Sequence, residues 1–464
     1  MSVLINSIFD KVKQGGYCIG CAACTVVENS PFQIKFQENG TYSAELSNSK
    51  ASGDLIQQSM SVCPFSGIGK NEKEIGKSLY NDAPANDEYL GFYESNYAGF
   101  VNEGEYRKDG SSGGMGTWVL TELFNKGLVD RIIHVKENSE DLLFKFGVSD
   151  NIEDIQKSAK SRYYPVEMSE VLKIVKEQPG NYAIIGLPCF IKSIRLLSEK
   201  EPIFKERIKF CVGLVCGHLK SSYFAEMMAM QVGFNQEHLK TINFRHKLEG
   251  RNAGDYAINV TGFDDSNNLK EVIAPTRDLF GTNWGHGFFK YNACDYCDDV
   301  LAETADITIG DAWLPGYIKE SKGTNVIVVR NKVINNLIME AIQQNRLRLD
   351  ILTADKIVDS QAGGFSHRRE GLSYRLHLKQ MKNEWYPQKR VEPSNNIKRK
   401  RKKIYKGRLD LNKASFVAFK SAKENNDFSE FMYEMQPIVN KYNKVAAPSI
   451  IRRILSKGKR LIRG

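Results

Sequence analysis

Three cysteines at two-residue intervals, Cys18, Cys21 and Cys24, constrain this chain more than any other feature. Such spacers hold three thiols on one face of a tight loop. Cys63, directly before Pro64, supplies a remote fourth. This is the spacing of a 4Fe-4S site, in which three thiolates wrap a compact inorganic body and a distant Cys-Pro closes it. Zinc sites favour two separated pairs, so the run suits zinc less well. Between these ligands, residues 31–46 alternate apolar and polar around Asn39-Gly40, which predicts a hairpin. Residues 1–80 are therefore expected to form a ferredoxin-like (α+β) cluster module, followed by a polar, Pro-containing linker at 81–88.

The chain of 464 residues has nine cysteines, and five remain: Cys189, Cys211, Cys216, Cys294 and Cys297. A lone C-x2-C such as Cys294–Cys297 is ambiguous among metal site, redox pair and coincidence. Two apolar segments, 181–189 and 208–217, read as strands ending at Cys189 and Cys216. In a parallel sheet the carboxyl ends of strands line the ligand crevice. Cys189 and Cys216 could meet there, with Cys294 and Cys297 completing a four-thiolate site. Cys211 lies inside its strand and reads as a buried structural thiol.

The formal charge of +10 would suggest nucleic acid until it is located. Residues 398–464 carry 19 of the 65 basic and 5 of the 55 acidic side chains, a net +14. The first 397 residues are then mildly acidic, and they show no helix-turn-helix, zinc-finger or aromatic-basic signature. Nucleic-acid binding is not expected. The tail opens with the basic run 398–403 and closes, after Pro448-Ser449, with Ile450, Ile451, Ile454, Leu455, Leu461 and Ile462 among Arg and Lys. A helix lying on an anionic membrane surface would have this composition. A solvated tail or a helix docked on an acidic partner is the plainer alternative. No apolar run is long enough to span a bilayer, and the start lacks a basic n-region followed by an apolar stretch. The chain is expected to be cytoplasmic, with reduced thiols, and peripheral at the inner membrane face if the tail binds lipid.

Residues 108–117 form a Gly/Ser-rich loop that feeds a helix ending at Gly127. Its backbone N–H groups could cradle a phosphate, although it is neither a Walker A nor a dinucleotide glycine pattern. A turn with a helix cap is the alternative. Strands are expected at 92–101, 128–135, 255–263, 269–274, 305–313 and 323–330. Helices are expected across 150–180 and at 190–199, 221–233 and 331–345. After about 360 the chain is polar, basic and helical. No serine–histidine–acid arrangement is visible. His246, between Arg245 and Lys247, is notable because a basic trio suits an anionic cofactor.

These motifs together resemble the family of coenzyme F-420 hydrogenase and dehydrogenase beta subunits, which are flavin and iron–sulfur oxidoreductases. The matching stretches are residues 110–114 with their helix, 127–130, 160–163, 185–189, 213–217, and 294–298 through 305–311. The resemblance implies an α/β flavin domain over residues 90–345 and a helical basic tail over 360–464. It implies FAD held by Gly110, Ser111, Ser112, Gly113 and Gly114 with Thr117, and by Ser161, Arg162 and Tyr163. It also implies a second 4Fe-4S cluster on Cys189, Cys216, Cys294 and Cys297, beside the one on Cys18, Cys21, Cys24 and Cys63. The electron partner would be a ferredoxin-like carrier or the deazaflavin coenzyme F-420. Members with an N-terminal ferredoxin module and a C-terminal tail resemble bacterial proteins of surface-polysaccharide biosynthesis. The rival reading from the residues is a non-redox metal-binding protein with a membrane- or partner-docking tail.

Overall fold

A computed structural model describes residues 7–447 except 48–49, 139–141, 235 and 265. The expected helix after Pro448-Ser449 lies outside the described residues.

An eight-stranded mixed sheet organises the molecule. In spatial order its strands are Leu347–Ile351, Ser95–Val101, Asn325–Val329, Ile307–Asp311, Ile208–Leu214, Tyr182–Gly186, Arg131–Glu137 and Phe144–Ser149. The four from Ile307–Asp311 to Arg131–Glu137 pair in parallel, and the flanking strands pair antiparallel. The parallel strands are near-continuous apolar runs because both faces are covered. Alternation sends Ala183, Phe210 and Val212 to one face, where they meet Trp118, Leu123 and Ile338. Tyr182, Ile184 and Cys211 face the other side and meet Phe190, Ile194 and Phe204. Cys211 is fully buried there, as the sequence suggests.

That second core does not stop at the sheet. It runs on through Tyr17, Ile19, Cys21 and Cys24 of the N-terminal loop and through Cys294, Tyr296 and Cys297. It also takes in Leu372, Leu411, Phe419 and Phe431 of the C-terminal helices. The N-terminal hairpin pairs Phe32–Phe36 with Tyr42–Leu46 around Gly40, whose φ of +69° the turn requires. Part of the stretch expected as a linker instead forms a small hairpin, Ala85–Asp87 with Gly91–Tyr93. A separate antiparallel sheet contains Leu239–His246, Ala257–Phe263 and Leu269–Pro275.

Two expectations change. Residues 150–180 are not one helical stretch but two helices, Ile152–Lys157 and Ser169–Glu177. Lys160, at φ +138°, and Pro165 break the run, and the intervening segment sets Arg162 and Tyr164 against Phe144 of the edge strand. The strand before Cys189 ends at Gly186, and Cys189 lies in the first turn of the helix Pro188–Lys200, with proline at its start. The basic run at 398–403 opens the helix Arg399–Glu424, which buries Ile404, Tyr405, Leu411 and Phe419 against the body. Arg401 pairs with Glu370 at 2.6 Å. No helix among the described residues is long and apolar enough to cross a membrane.

Candidate functional site

The carboxyl ends of the parallel strands open into a cleft of about 890 Å³. Its wall takes residues 185–187 at the end of one strand, 214–220 at the end of and beyond the next, and 309–311 at the end of a third. The Gly/Ser loop forms one side. Gly114 begins the helix Met115–Asn125 at φ +87° and has no side-chain cap to offer; Asn325 Oδ1 accepts from the Met115 N–H at 3.1 Å. Gly116 and Thr117, in the first turn of that helix, line the cleft, so the positive end of the helix faces it. The crossing segment 158–164 forms the opposite side, and the Ser161 N–H donates to Ser111 Oγ at 2.8 Å. Of the nine residues expected to hold a flavin, Gly110, Ser111, Ser112, Gly114, Thr117, Ser161, Arg162 and Tyr163 line this cleft. Gly113 is not among the lining residues. A Cβ there would come within 2.7 Å of Asn325 Oδ1 and the Gly99 carbonyl, so it lets the loop close on the sheet.

The cleft is strongly cationic. Lys160, Arg162, Lys220, Arg245, Lys290, Arg368 and Arg408 line it, against a single acid, Asp311. Asp311 pairs with Arg245 at 2.6 Å. Burial holds the Lys160 and Lys220 ammonium groups below their usual range, Lys220 the more so because Lys290 is beside it. Four buried polar atoms on lining residues have no protein partner: Arg162 Nε, His218 Nε2, Arg245 Nε and Arg368 Nε. Unmet donors of this kind are costly unless a ligand satisfies them. A phosphate-bearing cofactor fits that need. The cleft also carries aromatic surface in Tyr163 and Trp284, whose rings meet at 4.8 Å.

The eight cysteines expected as ligands gather in two sets. Cys24 feels Cys21, Cys18 and Cys63 as neighbouring thiols, and Cys189 feels Cys297, Cys216 and Cys294. The second set encloses a small void together with Ile19, Phe65, Pro188, Leu219 and Arg368. Burial, then the neighbouring sulfurs, pushes Cys21 up to about 11, Cys63 to about 12 and Cys294 to about 12. Four thiolates can share either pocket only around a body that brings positive charge. Amide donors are already aimed at the sulfurs: Leu219 N–H at Cys294 Sγ, 3.2 Å, and Ala44 N–H at Cys18 Sγ, 3.4 Å. Cys189 sits at a helix amino end, which favours thiolate. Among the described residues no group of three or more His, Cys, Asp or Glu is arranged to hold a single metal ion. An iron–sulfur cube, which carries its thiolates apart on its corners, suits the sets better.

Family models for the coenzyme F-420 hydrogenase/dehydrogenase beta subunit match residues 96–173, its N-terminal part, and 180–355, its C-terminal part. The chain belongs to this family. An uncharacterized protein of Methanocaldococcus jannaschii is 22% identical over 55% of this chain and 64% of its own length. A subunit of the F(420)H(2) dehydrogenase of Methanosarcina mazei is 22% identical over 48% of this chain and 56% of its own. The coenzyme F-420-dependent sulfite reductase of M. jannaschii is 23% identical over 74% of this chain and 50% of its own. The chain thus spans only part of the length of these relatives. Among solved structures, a chain of the F-420-reducing NiFe hydrogenase complex from Methanosarcina barkeri aligns with a TM-score of 0.46 and 18% identity. That alignment covers 61% of this chain and 92% of the other.

Several residues of the cleft carry no signal in the sequence. Lys220 donates to the Phe288 carbonyl at 2.5 Å and lies 5.0 Å from the Trp284 ring centroid. Arg368 comes from the helix Ala362–Arg368, far along the chain. The basic trio divides its tasks. Arg245 lines the cleft, Lys247 Nζ donates to the carbonyls of Arg107 and Ser112 behind the loop, and His246 is not among the lining residues.

Proposed function

We propose that this chain is an iron–sulfur flavoprotein oxidoreductase passing electrons between a carrier, a ferredoxin-like protein or the deazaflavin, and a substrate. One observation supports the reading above others: four cysteines from distant parts of the sequence meet around one void beside a cationic cleft with unmet donors, and Cys216 borders both. When bound, a flavin supplies the exchange between electron pairs and single electrons, and the clusters supply one-electron carriage. FAD would be held by the Gly/Ser loop and first helical turn on one side and by Ser161, Arg162 and Tyr163 on the other. Cys189, Cys216, Cys294 and Cys297 would hold one 4Fe-4S cluster, and Cys18, Cys21, Cys24 and Cys63 the other.

This chain's own residues set the conditions around those groups. Arg162, Arg245 and the helix amino end bind and orient negative charge. Tyr163 and Trp284, packed against Phe224, exclude water from the inner wall. His218 is kept neutral by burial and by Lys220 beside it, so its ring can accept or donate without adding charge. The helix Pro188–Lys200 joins the two cysteine sets, since it carries Cys189 of one and packs against the turn Ala23–Thr25, which carries Cys24 of the other. The Tyr17 and Tyr296 rings, each next to a ligand cysteine, meet at 4.9 Å. A role in surface-polysaccharide biosynthesis at the inner membrane face belongs to the same proposal. Its lipid contact would rest on the basic segment 398–464.

Anaerobic purification tests the reading. A brown protein with about eight irons and one flavin is expected. Zinc or no metal, with no flavin, would refute it.

A further inference from the structure

Residues past 355 lie beyond the stretch matched by the family, yet they form part of the wall around the second cysteine set. Arg368 is 1% exposed and borders both spaces, lining the cleft on one side and the void between Cys189, Cys216, Cys294 and Cys297 on the other. Its guanidinium donates to the Cys216 carbonyl at 2.6 Å. Across that void it borders Cys216 and Cys297. Among the described residues no carboxylate pairs with it, and its Nε is unpartnered. Among the described residues no cation takes this place at the N-terminal set, where the Ala44 N–H is aimed at Cys18 Sγ.

The neighbouring turns of the chain hold Arg368 in place. Arg375 donates to the Asp295 carbonyl at 2.6 Å, and His367 Nε2 lies 3.3 Å from the Asp295 carboxylate, inside the Cys294–Cys297 loop. Lys290 pairs with the same carboxylate at 2.6 Å. The charge of Asp295 is therefore met by Lys290 and Arg375, and that of Arg368 is left for the cysteine set.

Resting on the proposed function, we infer that Arg368 is a positioning residue that raises the reduction potential of the cluster next to the cleft above that of the N-terminal one. Reduction adds one electron, hence one negative charge, to a group already bearing four thiolates. A fixed, desolvated cation against two of those sulfurs stabilises the reduced form more than the oxidised form. The cleft-side cluster would then be the better electron acceptor of the two, and electrons arriving at the N-terminal cluster would run downhill toward the flavin.

The test is a redox titration of the purified holoprotein, following the two clusters by electron paramagnetic resonance. Arg368→Gln and Arg368→Lys are compared with wild type, and iron is measured in each. In Arg368→Gln the cleft-side cluster should need a potential lower by at least about 59 mV, a tenfold change in its reduced-to-oxidised ratio. The N-terminal signal should not move. Arg368→Lys, which keeps the charge and loses the fork, should shift less. Equal potentials in Arg368→Gln and wild type at full iron content would overturn the inference, as would a shift shared by both clusters. So would folded variants that simply lose four irons, which would make the arginine structural. A wild-type protein without a second cluster would sink the functional reading itself.

Discussion

Alanine at Gly114 tests whether the loop before Met115 is a cofactor cradle. Gly114 has φ +87°, a region that costs an L-residue about 1–2 kcal/mol. The added Cβ would lie 2.6 Å from both the carbonyl carbon and oxygen of Tyr106, and these backbone atoms cannot swing aside as a side chain could. Overpacking of this kind costs about 1–3 kcal/mol. The loop can relieve the strain only by moving away from the wall it forms, which would release about 2 kcal/mol or more at the expense of binding. That is a loss in flavin affinity of about 30-fold or greater. The measurement is a fluorescence titration of flavin into the flavin-stripped variant, with a thermal melt alongside. Gly127→Ala is the matched control. It sits at the far end of the same helix at φ +65°, but a Cβ there meets nothing within 4 Å. It should lose about 1–2 kcal/mol of stability and keep its flavin affinity. A Gly114→Ala protein that binds flavin within threefold of wild type would refute the cradle, and so would equal losses in the two variants.

Cys297→Ser should remove about half the iron and leave the N-terminal set loaded, whereas Cys18→Ser should do the reverse; iron analysis and visible spectra separate the two. His134 lines the cleft, is bonded to Ser149 Oγ at 2.8 Å, and is pushed down to about 4 by burial and by Lys136. Its contribution is therefore complete above the ordinary histidine range near 6.5 and is lost as pH falls toward 4, a change of about 3 kcal/mol. Melting temperatures measured from pH 7 to 4 should fall more steeply in wild type than in His134→Gln, and parallel curves would count against it. Lys192 and Glu72 pair at 3.1 Å in the interior, their side chains 8% and 6% exposed. Lys192→Met leaves Glu72 with Arg390, 3.5 Å away, as its remaining ion-pair partner, and should destabilise in denaturant unfolding by less than a fully stranded charge would, about 3–5 kcal/mol.

The cysteine spacing, the hairpin at Gly40 and the existence of the two strands before Cys189 and Cys216, though not their ends at Gly186 and Leu214, are legible because short-range pattern decides them. A two-residue spacer, a turn glycine and a run of buried β-formers each act over a few residues. The crossing segment at 158–168 reads as helix because its composition is helical. Its path is set instead by Lys160 in a strained conformation and by the contact of Ser161 with Ser111, some 50 residues earlier in the chain. Arg368 and Arg375 are invisible for a related reason. In sequence they are two basic residues in a polar, basic stretch, and only the fold shows that both are 1% exposed. The charge of the C-terminal region likewise reads as surface throughout, whereas the helix Arg399–Glu424 buries one apolar stripe and shares the main core.

The order of these parts along the chain has a consequence for how the protein is made. All nine cysteines precede residue 298, while His367, Arg368 and Arg375, which close over the second set, come later. During synthesis the ligands of both sites leave the ribosome before the residues that seal the inner one. On the proposed reading, that site would be loaded between the emergence of Cys297 and the emergence of Arg368 and Arg375. Once the arginines dock, the helix Ala362–Arg368 closes one side of the void, and Arg368 stands between it and the cleft.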